Sequence, residues 1–276
     1  MCLARGSRHR LGETLTSRAV APNRFMPMTI YDRYAEVYDL AGQIRFSLRL
    51  IPYLDQLLTR HGLHVESALD LACGTGTLAI AFAAKGWKVY GVDASEARLE
   101  QARAKMREAG VSVEFIQQDM RSLTLPAPVD LVTCVHDSLN YLLRIDDLQK
   151  TFHAVANALR AGGHLIFDMN TLYNFSRFRQ PQDFFNDGEE AALIHRCRFD
   201  ENTQQLAVTI TGFIKRGELY ERFIETHVQR AYADGEIDAS LGGAGLEVVG
   251  KYACFTFDGP REDAMKIVWV ARKGKA

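Results

Sequence analysis

Residues 69–80 read Leu-Asp-Leu-Ala-Cys-Gly-Thr-Gly-Thr-Leu-Ala-Ile: an apolar run carrying one acid, Asp70, then Gly74-Thr-Gly76, then a second apolar run. The first run has the length and composition of a buried strand and the second opens a helical pattern, so the glycines fall on a strand-to-helix turn. A turn lacking side chains at two positions lets backbone come close to whatever lies beside it. On either side of this stretch the pattern repeats. Strands are predicted at 67–72, 87–92, 113–118, 129–135 and 163–169, and helices at 77–85, 96–109 and 146–160. Ser95 is the expected N-cap of the second helix and Gly110 its stop; Gly162 closes the third. The strands are apolar on both faces. Such alternation predicts an α/β fold, a doubly wound, mainly parallel sheet with right-handed crossovers.

Asp70 lies in the first strand, while Asp93 and Asp119 follow the second and third. In an open sheet of this kind ligands sit outside the carboxyl ends of the strands. Three carboxylates on that rim suit a ligand rich in hydroxyls and amines and are a poor match for pyrophosphate. Gly74 to Ala79 nevertheless meets the loose G-x-G-x-x-A dinucleotide fingerprint. A third reading needs only a tight turn. The turn alone does not choose among the three.

The 276 residues are 47% hydrophobic and 24% charged with a formal net charge of −1, the composition of an ordinary globular chain with no global attraction to nucleic acid or an anionic membrane. Residues 1–25 hold five arginines against Glu13 but no apolar core of a secretory signal, and are expected to be a disordered leader ahead of Met26 or Met28. No stretch reaches the roughly 20 apolar residues of a membrane span. Cys2, Cys73, Cys134, Cys197 and Cys254 are scattered without a CxxC pair, so neither a metal site nor a disulfide framework is expected, and a reducing, cytoplasmic setting is.

After Met169 the pattern changes. Three β-rich segments, 191–199, 204–216 and 219–232, are separated by turn residues at hairpin lengths and predict an antiparallel sheet inserted into the α/β domain. Segments 246–257 and 265–272 are expected to return as an antiparallel pair on the main sheet. The predicted layout is a cap and Rossmann-like core over 26–183, an insert over 184–234 and a return over 235–276.

The run Ala68 to Gly76, followed by Val89-Tyr-Gly-Val-Asp-Ala-Ser95 and Gln117-Gln-Asp-Met120, resembles the first three motifs of class I S-adenosylmethionine-dependent methyltransferases. Val129 to Leu142 and Arg160 to Asp168 resemble the motifs that follow, so the likeness spans about residues 30 to 170. One departure is Ala72, where many members carry a loop glycine. Segments 225–232 and 236–246 look like the branch with an inserted sheet, which includes nucleotide-sugar amino N-methyltransferases.

The resemblance implies a seven-stranded sheet with an antiparallel last strand, S-adenosylmethionine as cofactor and a methyl acceptor. It places Asp70 toward the cofactor's α-ammonium, the Ala72–Gly76 loop along its methionyl and ribosyl parts, Asp93 and Ala94 at the ribose, and Asp119 and Met120 at the adenine. His136, after the fourth strand, is a cofactor contact and the best-placed catalytic candidate, with Tyr141 in the same loop as the second. Tyr31, Tyr34 and Tyr38 fall at helical spacing; they pack an aromatic face on the domain, or a tyrosine such as Tyr38, with Arg45, grips the cofactor's carboxylate. His195, His227 and Arg230 read as solvated strand residues. A small-molecule acceptor is expected, with a homodimer through the insert's open edges. The alternatives are an RNA or protein methyltransferase, a non-catalytic cofactor-binding protein, and a dinucleotide oxidoreductase.

Overall fold

The structure is a computed structural model that describes residues 33–38 and 44–274. The expected leader and Tyr31 lie outside them. Strands β1 (Ser67–Leu71), β2 (Lys88–Asp93), β3 (Glu114–Gln117), β4 (Val129–Cys134), β5 (Leu159–Asn170), β10 (Leu246–Ala253) and β11 (Lys266–Lys273) form one sheet in the order β10-β11-β5-β4-β1-β2-β3. β11 runs antiparallel to both of its neighbours and the rest of the core is parallel. The chain leaves β1 toward β2 on one side and returns to β4 on the other. That reversal opens a crevice at the carboxyl ends of β1 and β4.

The strands alternate between two cores. Leu69, Leu71, Val132, Phe167 and Trp269 face helices α4 (Ile145–Ala158) and α6 (Asp234–Gly243). Ala68, Leu131, Ile166 and Val268 face α1 (Ile44–Arg60) and α2 (Thr77–Ala84). Helix α3 (Glu96–Ala109) matches its expected bounds, with the Ser95 side chain accepting from Arg98 N–H at its start. Helix α1 had no counterpart in the sequence reading: Pro52 lies within it, yet Leu50, Tyr53, Leu54 and Leu57 make a continuous buried stripe. Burial of that stripe outweighs the proline.

Two other expectations are corrected. β5 starts at Leu159, not 163, because Leu159 pairs with Val129 before the register shifts, and Arg160 reaches back to Asp130 at 2.7 Å. The tyrosine segment is a 3-10 turn at Tyr34–Val37 rather than a longer helix over its described part.

The insert is a separate four-stranded antiparallel sheet, β6 (Gln182–Asp187), β7 (Ala191–Asp200), β8 (Gln205–Arg216) and β9 (Leu219–Arg230), one strand more than the sequence reading gave. Short α5 (Leu172–Ser176) leads into it, and Phe175 packs on Phe199 and Leu206. The insert is tied to the crevice by Asn140, whose side chain donates to the carbonyls of Arg230 (2.8 Å) and Asn170 (3.2 Å) and accepts from Asn170 N–H (2.9 Å). Fully buried and fully satisfied, it fixes the loop after β4 against β9.

Candidate active site

β2 delivers Asp93 to the rim of the crevice, where one oxygen accepts from Gly74 N–H (2.8 Å) and the other from Ser95 N–H (2.9 Å). The carboxylate therefore ties the glycine turn to the start of α3. Cys73 N–H goes to the Val92 carbonyl and Gly76 N–H to the Cys73 carbonyl. A pyrophosphate cradle would point such turn donors outward; here the Cys73, Gly74 and Gly76 N–H groups are all used within the protein. The turn is built around a carboxylate, which disfavours the dinucleotide reading.

Gly74 and Gly76 have φ of +56° and +78°, and a Cβ on Gly74 would sit 2.0 Å from the Arg98 guanidinium, one on Gly76 2.8 Å from Ala102 Cβ. The left-handed backbone favours glycine at both positions, and at Gly76 packing against Ala102 of α3 demands it, a reason the sequence reading did not contain. Ala72, where the resemblance leads one to look for glycine, also has positive φ, +56°. It holds a strained conformation at the mouth of the crevice.

A cleft of about 640 Å³ opens there, within the usual range for small-ligand sites. Leu71, Val92, Met120 and Leu142 give it apolar walls; Asp93, Asp119 and Tyr141 add polar groups. A smaller recess of about 30 Å³ shares Ala72 and Arg98 with it and is bordered by Tyr38, Asp70 and His136. Of the residues expected at the site, Ala72, Asp93, Ala94, Asp119, Met120 and Tyr141 line the cleft, and Tyr38, Asp70, Ala72 and His136 line the recess. Gly74, Gly76 and Arg45 line neither, and Arg45 is exposed on α1.

Arg98 is the residue that sequence reasoning missed. It is 9% exposed, lies 3.8 Å from Asp93 and stacks its guanidinium over the Tyr38 ring at 4.9 Å. An arginine one turn into a polar helix looks solvated in sequence, and only the position of the glycine turn buries it. Asp119 is gripped by Arg121, whose guanidinium holds the carboxyl below its usual range.

Asp70 is 2% exposed, and burial pushes its pKa up to about 7 against a hydrogen bond from Thr133 at 3.0 Å. A folded-state pKa above the unfolded one means that stability is lost as pH rises toward about 7. The substitution Asp70→Asn removes that loss. The variant is expected to gain about 1–3 kcal/mol on the wild type between pH 5 and pH 8 in ligand-free urea melts. A gain independent of pH would contradict the assignment.

The loop after β4 is held by a second carboxylate. His136 and Asp137 both adopt positive φ, +60° and +49°. Asp168 accepts from both of their N–H groups, at 2.9 and 2.8 Å, and Lys266 bridges Asp137 and Asp168 at 2.7 and 2.6 Å. Burial lowers the pKa of His136, and its Nε2 lies 2.7 Å from the Ser47 hydroxyl. On the insert side His227 is 3% exposed and packed between Tyr141 and Glu225, not solvated as the sequence suggested.

A glycine turn clamped by one acid, with two further acids around an apolar cleft, suits an adenosyl amino acid. Comparison with known proteins decides the family. A methyltransferase-domain profile matches residues 68–163. A Bacillus subtilis (strain 168) protein, provisionally named a methyltransferase, is 31% identical over 248 residues, 89% of this chain and 98% of the relative. The crystal structure of an S-adenosylmethionine-dependent methyltransferase from Clostridium acetobutylicum ATCC 824 superposes with a TM-score of 0.79 at 31% identity, over 88% of this chain and 99% of that one.

The chain belongs to the S-adenosylmethionine-dependent methyltransferases. Its cofactor is S-adenosylmethionine. The sugar N-methyltransferase KedS8 from Streptoalloteichus sp. ATCC 53650, at 20% identity and a TM-score of 0.70 over 99% of both chains, shares the fold with this methyltransferase. Among its described residues no helix is long and apolar enough to cross a membrane.

Proposed function

We propose that this methyltransferase modifies a nitrogen or oxygen of a small-molecule acceptor. The observation that carries the reading is the bracing of the loop beside the cleft by the insert. The loop His136–Tyr141 is tied to β9 through Asn140 and through Gln229 to Asp137, and just past both Tyr232 donates to the Leu142 carbonyl. Those ties bury Leu139 and Asn140, so the loop beside the cleft is covered by the insert rather than presented as an open platform for a polymer. The net charge of −1 agrees with that.

The residues fit the cofactor. Asp93 keeps lone pairs beyond its two backbone bonds for a pair of ribose hydroxyls. Met120 and Leu142 flank space for a purine, with Asp119 at its edge. Asp70, costly as a buried carboxylate alone, gains from an ammonium; Tyr38 and Arg98 border the same recess and suit a carboxylate. When bound, the sulfonium supplies an electrophilic methyl group. The chain's task is then to align a nucleophile with it and keep water out, which by itself gives large effective concentrations.

Titration calorimetry with S-adenosylmethionine and NAD side by side, followed by transfer of labelled methyl to panels of amines, hydroxy compounds, total RNA and protein, tests the proposal. Labelling of small amines or hydroxy compounds is expected; labelling of RNA or protein alone would overturn it. Pairing of two copies through the insert and a cytoplasmic setting belong to the same reading. Exposed Phe184 and Phe185 on edge strand β6 support the first, and free Cys73, Cys134, Cys197 and Cys254 the second. Light scattering is expected to give a dimer mass that Phe185→Ser halves.

A further inference from the structure

The third acid of the rim is held in one orientation. Asp119 follows β3 and starts a 3-10 turn at Met120–Ser122, and Arg121 in that turn folds back onto it. The Arg121 backbone N–H donates to Oδ1 at 2.9 Å, its Nε lies 2.9 and 3.0 Å from the two oxygens, and its Nη2 donates to Oδ2 at 2.5 Å. The guanidinium is anchored from the opposite wall as well, where Asp147 of α4 accepts from Nη1 at 3.5 Å. Asp119, Arg121 and Asp147 all line the cleft beside Met120. The neighbouring amide of Gln118 is engaged by Thr124, accepting from its N–H at 2.9 Å and donating to its carbonyl at 3.2 Å.

Among the described residues three donors, all from Arg121, meet the Asp119 carboxylate. A carboxylate has about four acceptor sites, so one is left, and it belongs to Oδ2 because the backbone N–H and Nε fill Oδ1. An exposed ion pair adds little to stability on its own. What this one supplies is direction, since a fork on both oxygens fixes the plane of the carboxylate as well as its charge.

We propose that Arg121 is a positioning residue for the purine: by holding Asp119 as a fixed acceptor, it makes the site select a 6-amino purine over a 6-oxo purine. The inference rests on the cofactor reading above, in which Asp119 stands at the purine's edge. Adenine presents an N–H donor at its 6-position. Hypoxanthine presents an oxygen there and carries its donor at N1 instead. A carboxylate able to turn follows that donor, whereas one gripped by Arg121 keeps its lone pair against the ring oxygen. A site built to bond a donor rejects the analogue that lacks it, because its own polar group is left unpaired.

The test compares S-adenosylhomocysteine with its 6-oxo analogue, S-inosylhomocysteine, by titration calorimetry on the full chain. The wild type is expected to favour the adenosyl ligand by about 10-fold or more. Arg121→Met is expected to cut that preference by about 5-fold or more, with Arg121→Lys between the two, because lysine keeps the charge but not the fork. A role confined to bracing the turn would weaken both ligands alike. An unchanged ratio in Arg121→Met, or a wild type that binds both ligands equally, therefore overturns the proposal.

Asp119→Asn gives a second readout. Its oxygen stays on the backbone N–H and Nε of Arg121 and its amide takes the place of Oδ2, so the ratio is expected to swing toward the inosyl ligand by about 10-fold or more. A swing in this variant without a change in Arg121→Met overturns the role of Arg121 alone. An unchanged ratio in Asp119→Asn overturns instead the reading beneath it, that Asp119 meets the purine.

Discussion

Asp93→Ala is expected to weaken S-adenosylhomocysteine binding on the order of 10- to 150-fold, the loss of a hydrogen bond to a charged group. Two effects add in the same direction. The ribose hydroxyls lose their acceptor, and the Gly74 and Ser95 N–H groups lose theirs, so the glycine turn is no longer tied to α3. Arg98 also loses the carboxylate 3.8 Å away. Asp93→Asn separates these contributions. Its single side-chain oxygen can satisfy one of the two backbone donors while its amide faces the other, so an intermediate affinity is expected. Calorimetry across the three proteins measures the series; an alanine variant within threefold of the wild type would remove Asp93 from the binding site.

Lys266→Met is expected to cost about 3–5 kcal/mol of stability, because removing the cation leaves two carboxylates uncompensated beneath the acceptor loop. Asp168 is fully buried, and the Lys266 amine lies within 2.7 Å of both it and Asp137. Burial alone would lower the pKa of Lys266, but the two carboxylates hold it above its ordinary value, so the amine is charged throughout the neutral range. Denaturant melts of the two proteins at neutral pH measure the deficit. The same substitution frees the left-handed pair His136–Asp137, so methyl transfer is expected to fall further than cofactor affinity. A deficit below about 1 kcal/mol would mean that the carboxylates had found other partners.

Much of this was legible in the sequence because it is written in periodicity. The parallel core, the N-cap at Ser95 and the clustering of Asp70, Asp93 and Asp119 on one rim follow from short apolar runs, a capping residue and acids at strand ends. Helix α1 was not legible: Pro52 reads as a stop, and only the hydrophobic face it meets on α2 and the sheet keeps it helical. Nor was the start of β5, where glycines that mark a loop in sequence are drawn into a strand by pairing with β4.

The site divides in the same way. Which residue types surround the cleft is local information, since each acid stands at the end of its own strand. What each one does is not local. Asp93 clamps a turn 19 residues away, Arg98 is buried by a glycine on another element, and His227 meets Tyr141 across 86 residues of chain. Sequence alone therefore determined the fold class and the identity of the rim, because both arise from neighbours along the chain. Tertiary structure decided which polar groups are buried, in which direction they donate and which loop they hold, because desolvation and hydrogen-bond geometry depend on groups that only folding brings together.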